Sequence, residues 1–137
     1  MISLPFQNAY CASKFALEGA MEALRQEVRP FGIHVVLIEP GDFKTEITRR
    51  RQKAVESIRN SAYFDTFQKV VRLVETGERN GPDPEPIAIL INKVISMNSP
   101  RLRYTVGKIS QRIAVPLKKI LPSRLFESLI VSTFQAN

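Results

Sequence analysis

The stretch Val35-Val36-Leu37-Ile38 constrains the fold of this chain more than any other, because it is apolar at every position rather than at alternate ones. A strand with one wet face alternates, whereas a strand apolar on both sides belongs inside a parallel sheet covered above and below. Its surroundings agree. Phe15, Ala16, Gly19, Ala20, Ala23 and Leu24 recur with helical spacing and predict a helix over residues 10–29. Pro30 and Gly32 end that helix, and Pro40-Gly41 closes a strand expected over residues 33–39. Helix, short turn at Phe31-Gly32 and buried strand make the αβ portion of a doubly wound α/β sheet. Ligands in such sheets bind beyond the carboxyl ends of the strands, which is where Pro40, Gly41, Asp42 and Thr45 fall. Gly41 would let backbone approach a ligand closely, an ordinary turn being the simpler reading. Thr45 suits either a helix cap or a hydrogen bond to a cofactor.

At the start of the predicted helix stand Tyr10 and Lys14. Residues four apart on a helix share a face, so a phenol and an ammonium meet there. A free phenol titrates near ~10, so a tyrosine that exchanges protons near neutrality needs its phenolate stabilised. A cation about 5 Å away attracts it by on the order of 3 kcal/mol at an effective dielectric of ~20. The same spacing recurs at Tyr104 and Lys108, but residues 102–106 read as a strand between Pro100 and Gly107. Four residues along a strand span ~13 Å, too far for pairing. Only the Tyr10 pair has the right local geometry.

The chain has 137 residues, 44% of them hydrophobic and 24% charged, enough for one domain with a real core. No apolar run approaches the ~20 residues of a membrane span, and the first residues lack a basic region and a cleavage pattern. A soluble, cytoplasmic protein is expected, with peripheral association at a membrane surface as the less favoured alternative. The single Cys11 forms no internal disulfide and reads as a small packing residue beside Tyr10; with the single His34 it cannot make a zinc site, so no metal is expected. Gly19, in a helix interior among alanines, costs about 1 kcal/mol and points to a backbone in close approach, by packing within the chain or at a subunit contact.

Taken together, Leu4-Pro5-Phe6, the run from Tyr10 to Gly19, Glu22 to Arg25, Pro30-Phe31-Gly32-Ile33-His34, and Ile38-Glu39-Pro40-Gly41 followed by Thr45 resemble the short-chain dehydrogenase/reductase family in order and spacing. Weaker agreement continues through Asp83-Pro84-Glu85-Pro86 ahead of a helix and through Arg103-Tyr104-Thr105-Val106-Gly107, which looks like the family's last sheet strand. The resemblance is nearest to the hydroxysteroid and retinol dehydrogenase and 3-oxoacyl reductase branch. It implies the carboxyl half of a Rossmann-type doubly wound parallel sheet with extra C-terminal helices. It also implies an NAD- or NADP-dependent oxidoreductase that interconverts a carbonyl and a secondary alcohol on a small lipophilic substrate. Tyr10 would be the general acid in reduction and the general base in oxidation. Lys14 would assist its ionisation and hydrogen-bond the nicotinamide ribose. Pro40 and Gly41 would line the nicotinamide pocket, with Thr45 reaching the cofactor. Gln7, Phe43 and the stretch from 43 to about 67 would face substrate, and residues 10–29 would be a homo-oligomer contact.

Family members also carry a Gly-rich phosphate-binding turn and a catalytic serine about a dozen residues before the tyrosine. The six glycines here, at 19, 32, 41, 77, 81 and 107, form no such turn, and Ser3 lies only seven positions before Tyr10. Residues 1–137 are therefore expected to be one partial domain, the catalytic half without the dinucleotide-binding half. Such a form, fragmentary or truncated, is expected to be inactive alone, because cofactor orientation supplies much of this catalysis. The alternative is a noncatalytic remnant that binds a partner or a membrane surface.

The net charge of +7 raises nucleic-acid binding, with Arg49-Arg50-Arg51-Gln52-Lys53 its most compact piece. Without interleaved aromatics it reads as a solvated helix face, and no nucleic-acid partner is expected. Towards the carboxyl end, cations from Lys108 to Arg124 alternate with apolar residues. Pro116 and Pro122 are expected to break this segment into short pieces, favouring a packed flank or substrate cover over a continuous membrane-surface helix.

Overall fold

The computed structural model describes residues 2–51 and 60–135. Helix α1 runs Asn8–Val28, two residues earlier at its start than the apolar spacing predicts. Its entry is set by backbone: the Gln7 carbonyl accepts the Cys11 N–H at 2.8 Å, and Phe6 turns the chain with a φ of 59°. At the other end Pro30 sits in a 3-10 turn, Arg29–Phe31, and Gly32 stops it at a φ of 70°, a left-handed conformation that glycine adopts at no steric cost. Both terminators act where the sequence puts them.

Strand β1 is Leu37–Pro40, four residues rather than the expected seven, and it pairs in parallel with β2, Arg103–Val106. The register runs from Leu37 opposite Arg103 to Pro40 opposite Val106. A ladder extends only as far as its partner, and β2 is four residues long. Upstream of the ladder, the Val35 carbonyl is instead taken by the Arg25 guanidinium, which also donates to the Pro100 carbonyl at 2.9 Å. The apolar residues of β1 are half-buried, so the sheet interior expected from their pattern is only partly covered among the described residues.

The crossover that a parallel pair requires contains α2 (Ile47–Arg50), α3 (Phe64–Arg79) and α4 (Glu85–Ile95). In α3, Phe67, Val70, Val71 and Val74 recur at helical spacing, and Val70 is buried. Helix α4 starts with Pro86 in its first turn, where a missing N–H costs nothing, and packs on β2. After β2 come α5 (Ile109–Ile120) and α6 (Ser123–Gln135), with α6 against both α3 and α5. Among the described residues, Cys11, Phe43, Val70, Val94 and Phe126 are buried apolar side chains.

Pro116 does not break α5, contrary to expectation; Pro122 does separate α5 from α6. The carbonyl that Pro116 leaves without its helical donor is that of Arg112. Both residues are exposed, so the helix continues past the proline on the side open to solvent, where a lost backbone bond costs least.

A second arginine joins the layers. Arg103 of β2 reaches Glu18 at 3.4 Å and Glu22, both on α1, and Glu39 of β1 at 3.1 Å. Its hydrogen bond to Glu22 raises the guanidinium above the ordinary arginine range, against a partial desolvation, with the charges of Glu22 and Glu18 adding to the rise. No helix among the described residues is long and apolar enough to cross a membrane.

Candidate active site

Tyr10 and Lys14 occupy the first two turns of α1, with the Lys14 Nζ 5.5 Å from the centre of the Tyr10 ring. Tyr10 is half-exposed and Lys14 partly so, which leaves the pair open to a ligand. Cys11, between them in sequence, is buried and anchors this turn from below as a packing residue. Just upstream, the Phe6 ring meets Tyr63 edge-on at 6.2 Å and Phe67 at 5.9 Å. That aromatic cluster ties the entry of α1 to α3 and so fixes where Tyr10 begins. Gln7, half-buried, holds the helix start through its backbone.

A second group forms at the carboxyl ends of the two parallel strands. The Gly41 N–H donates to the Val106 carbonyl at 2.8 Å. Gly107 leaves β2 at a φ of 140°, and a Cβ there would lie 3.1 Å from the Gly41 nitrogen. Over Gly41 stands Gln111 of α5, which accepts the Asp42 N–H at 3.1 Å and donates to the Asp42 carboxylate at 2.6 Å. A Cβ on Gly41 would lie 2.0 Å from the Gln111 Oε1, so glycine here answers a close approach within the chain. Pro40 is exposed beside it. The Thr45 hydroxyl accepts the Ile47 N–H at 3.4 Å at the head of α2, a local turn bond.

Strand β2 links the two groups, since Arg103 at its start holds α1 and Val106 at its end holds Gly41. Phe43, expected to face substrate, is only 5% exposed, and its backbone passes 2.8 Å from where a Gly81 Cβ would stand. Its ring therefore belongs to the core. Residues 52–59 of the expected substrate cover, and with them Gln52 and Lys53 of the basic cluster, lie outside the described residues. Of that cluster, Arg49 pairs with Glu46 at 2.7 Å and Arg51 with Glu78. The second tyrosine–lysine spacing is structural: Tyr104 lies in β2, where its hydroxyl accepts the Arg101 N–H at 2.9 Å and donates to the Met97 sulfur at 3.2 Å.

Residues 1–56, which hold both Tyr10 and the Gly41 turn, match the short chain dehydrogenase family. Across 93% of the chain there is 37% identity to 3-ketodihydrosphingosine reductase from Bacteroides thetaiotaomicron. The chain belongs to the short-chain dehydrogenase family. It is also 32% identical to human 17-beta-hydroxysteroid dehydrogenase type 1 over 76% of its length, and 27% identical to mouse retinol dehydrogenase 5 over 90%. It spans 47% of the Bacteroides reductase, 33% of the hydroxysteroid dehydrogenase and 42% of the retinol dehydrogenase, under half of each. Within this short-chain dehydrogenase segment, the tyrosine–lysine pair was legible from sequence. Arg103, Gln111 and the Phe6 cluster were not, because nothing local marks them.

Proposed function

We propose that this segment supplies the proton-transfer side of an NAD(P)-dependent oxidoreductase that interconverts a carbonyl and a secondary alcohol. The observation that carries the reading is the phenol–ammonium pair of Tyr10 and Lys14, open to solvent at the start of a helix tied to the sheet. In the reducing direction the Tyr10 hydroxyl gives its proton to the carbonyl oxygen; in the oxidising direction the phenolate takes the proton of the alcohol. Lys14 stabilises the phenolate by its charge and offers ammonium donors to the ribose hydroxyls of a nicotinamide cofactor.

A partly exposed ammonium beside a phenol fits that sugar. At the strand ends, Pro40, Gly41 and Thr45 would line the nicotinamide end of the cofactor, beside Gln111, which stands over Gly41. The cofactor, when bound, supplies or accepts the hydride. A small lipophilic substrate is favoured, since the similar proteins are named for a ketosphingoid base, a retinol and a steroid, all largely apolar. Gln7, partly buried before Tyr10, is the residue assigned to the substrate side.

The test replaces the matched stretch of the Bacteroides reductase by this chain and follows oxidation of reduced nicotinamide cofactor with a long-chain ketone. Turnover is expected, and Tyr10→Phe should lower it by roughly a hundredfold or more, the scale of a lost general acid. Turnover unchanged by Tyr10→Phe would overturn the assignment.

A further inference from the structure

Helix α5 is amphipathic in the opposite sense to a helix that covers a core. At 100° per residue, Ile109, Ile113, Pro116, Leu117 and Ile120 fall within one stripe, and all five are exposed, Ile109 at 71% and Ile120 at 78%. The opposite side faces the protein: Gln111 bonds Asp42, Lys118 lies 5.2 Å over the Phe15 ring, and Ala114 and Val115 are half-buried. Lys108, Arg112 and Lys119 lie along one flank of the outward apolar stripe, all exposed. From Gly107 to Phe126 the chain carries cations at 108, 112, 118, 119 and 124 and no carboxylate at all.

An apolar stripe edged with lysine and arginine, on a helix about 18 Å long, has the chemistry of a segment that lies in the headgroup plane of a bilayer. We infer that α5 docks this protein on an anionic lipid surface, its isoleucines entering the acyl boundary and its flanking cations meeting lipid phosphates and carboxylates. Charge is what selects this occupant. Helix α4 also exposes apolar residues, Ile89 and Ile95 at 61% and 76%, but its only charges are Lys93 and Glu85, which cancel. An apolar protein surface needs no run of cations, whereas an anionic membrane rewards each of them.

Co-sedimentation of the 137-residue chain with vesicles of phosphatidylcholine, with and without phosphatidylserine, tests the docking. Binding is expected only with phosphatidylserine present and should fall steeply with salt. Lys108→Gln and Lys119→Gln should each weaken it about fivefold, and Ile113→Glu or Ile120→Glu at least tenfold. Ile89→Glu and Ile95→Glu on α4 should leave it unchanged, as should Tyr10→Phe, which separates this reading from the catalytic one. The exposed position of every substituted side chain keeps folding out of the comparison, and circular dichroism checks it. Equal binding to neutral and anionic vesicles, equal loss from the α4 variants, or no vesicle binding would each overturn the inference. A self-association abolished by Ile113→Glu in the absence of vesicle binding would give the stripe to a second copy instead.

Discussion

Gly19 and Gly81 are both glycines in a crowded sequence context, yet the space around them is opposite. A Cβ on Gly19 would meet nothing within 4 Å, so the close approach expected from its place in the helix is absent within the described chain. Gly19→Ala should therefore raise stability by about 0.5–1 kcal/mol, the helix-propensity difference, in a urea titration. A loss of stability or of self-association would instead show another helix packing there, the homo-oligomer contact proposed for α1. A Cβ on Gly81 would lie 2.8 Å from both the Cα and carbonyl carbon of Phe43, backbone atoms that cannot swing aside. Gly81→Ala should cost about 1–3 kcal/mol by the same titration. The contrast also shows what sequence could convey. Tyr10 and Lys14 meet because one helical turn brings them together, and that is written in their spacing. Gln111 meets Asp42 across 69 positions, and Phe6 meets Phe67 through a separate helix. Such partners follow from the whole chain's path, and no local pattern announces them.

Among the elements, the placement of α1 depends on Arg103, because its guanidinium is shared by two carboxylates of α1 and one of β1. Arg103→Gln removes the cation that Glu22 and Glu39 share and one of the partners of Glu18. With side chains between 15% and 44% exposed, the loss should fall between the values for surface and buried pairs, roughly 1–2 kcal/mol. The sign of its pH dependence follows from the raised pKa. A group held above its unfolded value contributes fully below the ordinary arginine range and loses that contribution only as pH rises through the higher folded value. The stability gap between native protein and Arg103→Gln should therefore stay constant between about pH 7 and pH 10; a gap that closes over that interval would contradict the tie. Helix α1 itself was legible from its apolar period and its Pro30 and Gly32 terminators, which act locally. Strand β1 was legible in kind but not in length, since its start at Leu37 is decided by the four residues of β2. Pro116 misled because its cost depends on which side of α5 the freed carbonyl faces.

The whole molecule exposes far more surface than its size requires. A compact monomer of 15.5 kDa has an accessible area of roughly 7,000 Å², and this chain has 10281 Å². The excess is not polar loop alone. Phe31 is 78% exposed, Ile95 76% and Ile109 71%, on the 3-10 turn, α4 and α5 respectively. Apolar area left in water is stabilisation not gained, at roughly 25 cal/mol per Å², so the chain by itself should be only marginally stable. Purified alone, it is expected to unfold over a broad denaturant range with secondary-structure and tertiary probes out of step, and to bind an apolar reporter dye before denaturant is added. Placed in the exchange with the Bacteroides reductase described above, the same residues should give a single sharper transition and weaker dye binding, because further strands would pair the open edge of the sheet and the helices packed on it would cover β1 on both faces, as its apolar sequence demands. The α5 stripe is the part of the excess that should stay exposed in that chimera, since its cations suit it to a charged lipid surface. Dye binding that persists in the chimera but disappears on Ile113→Glu would assign the remaining apolar area to α5. A sharp, coincident transition in the isolated chain would show instead that its half-covered sheet is sufficient as it stands.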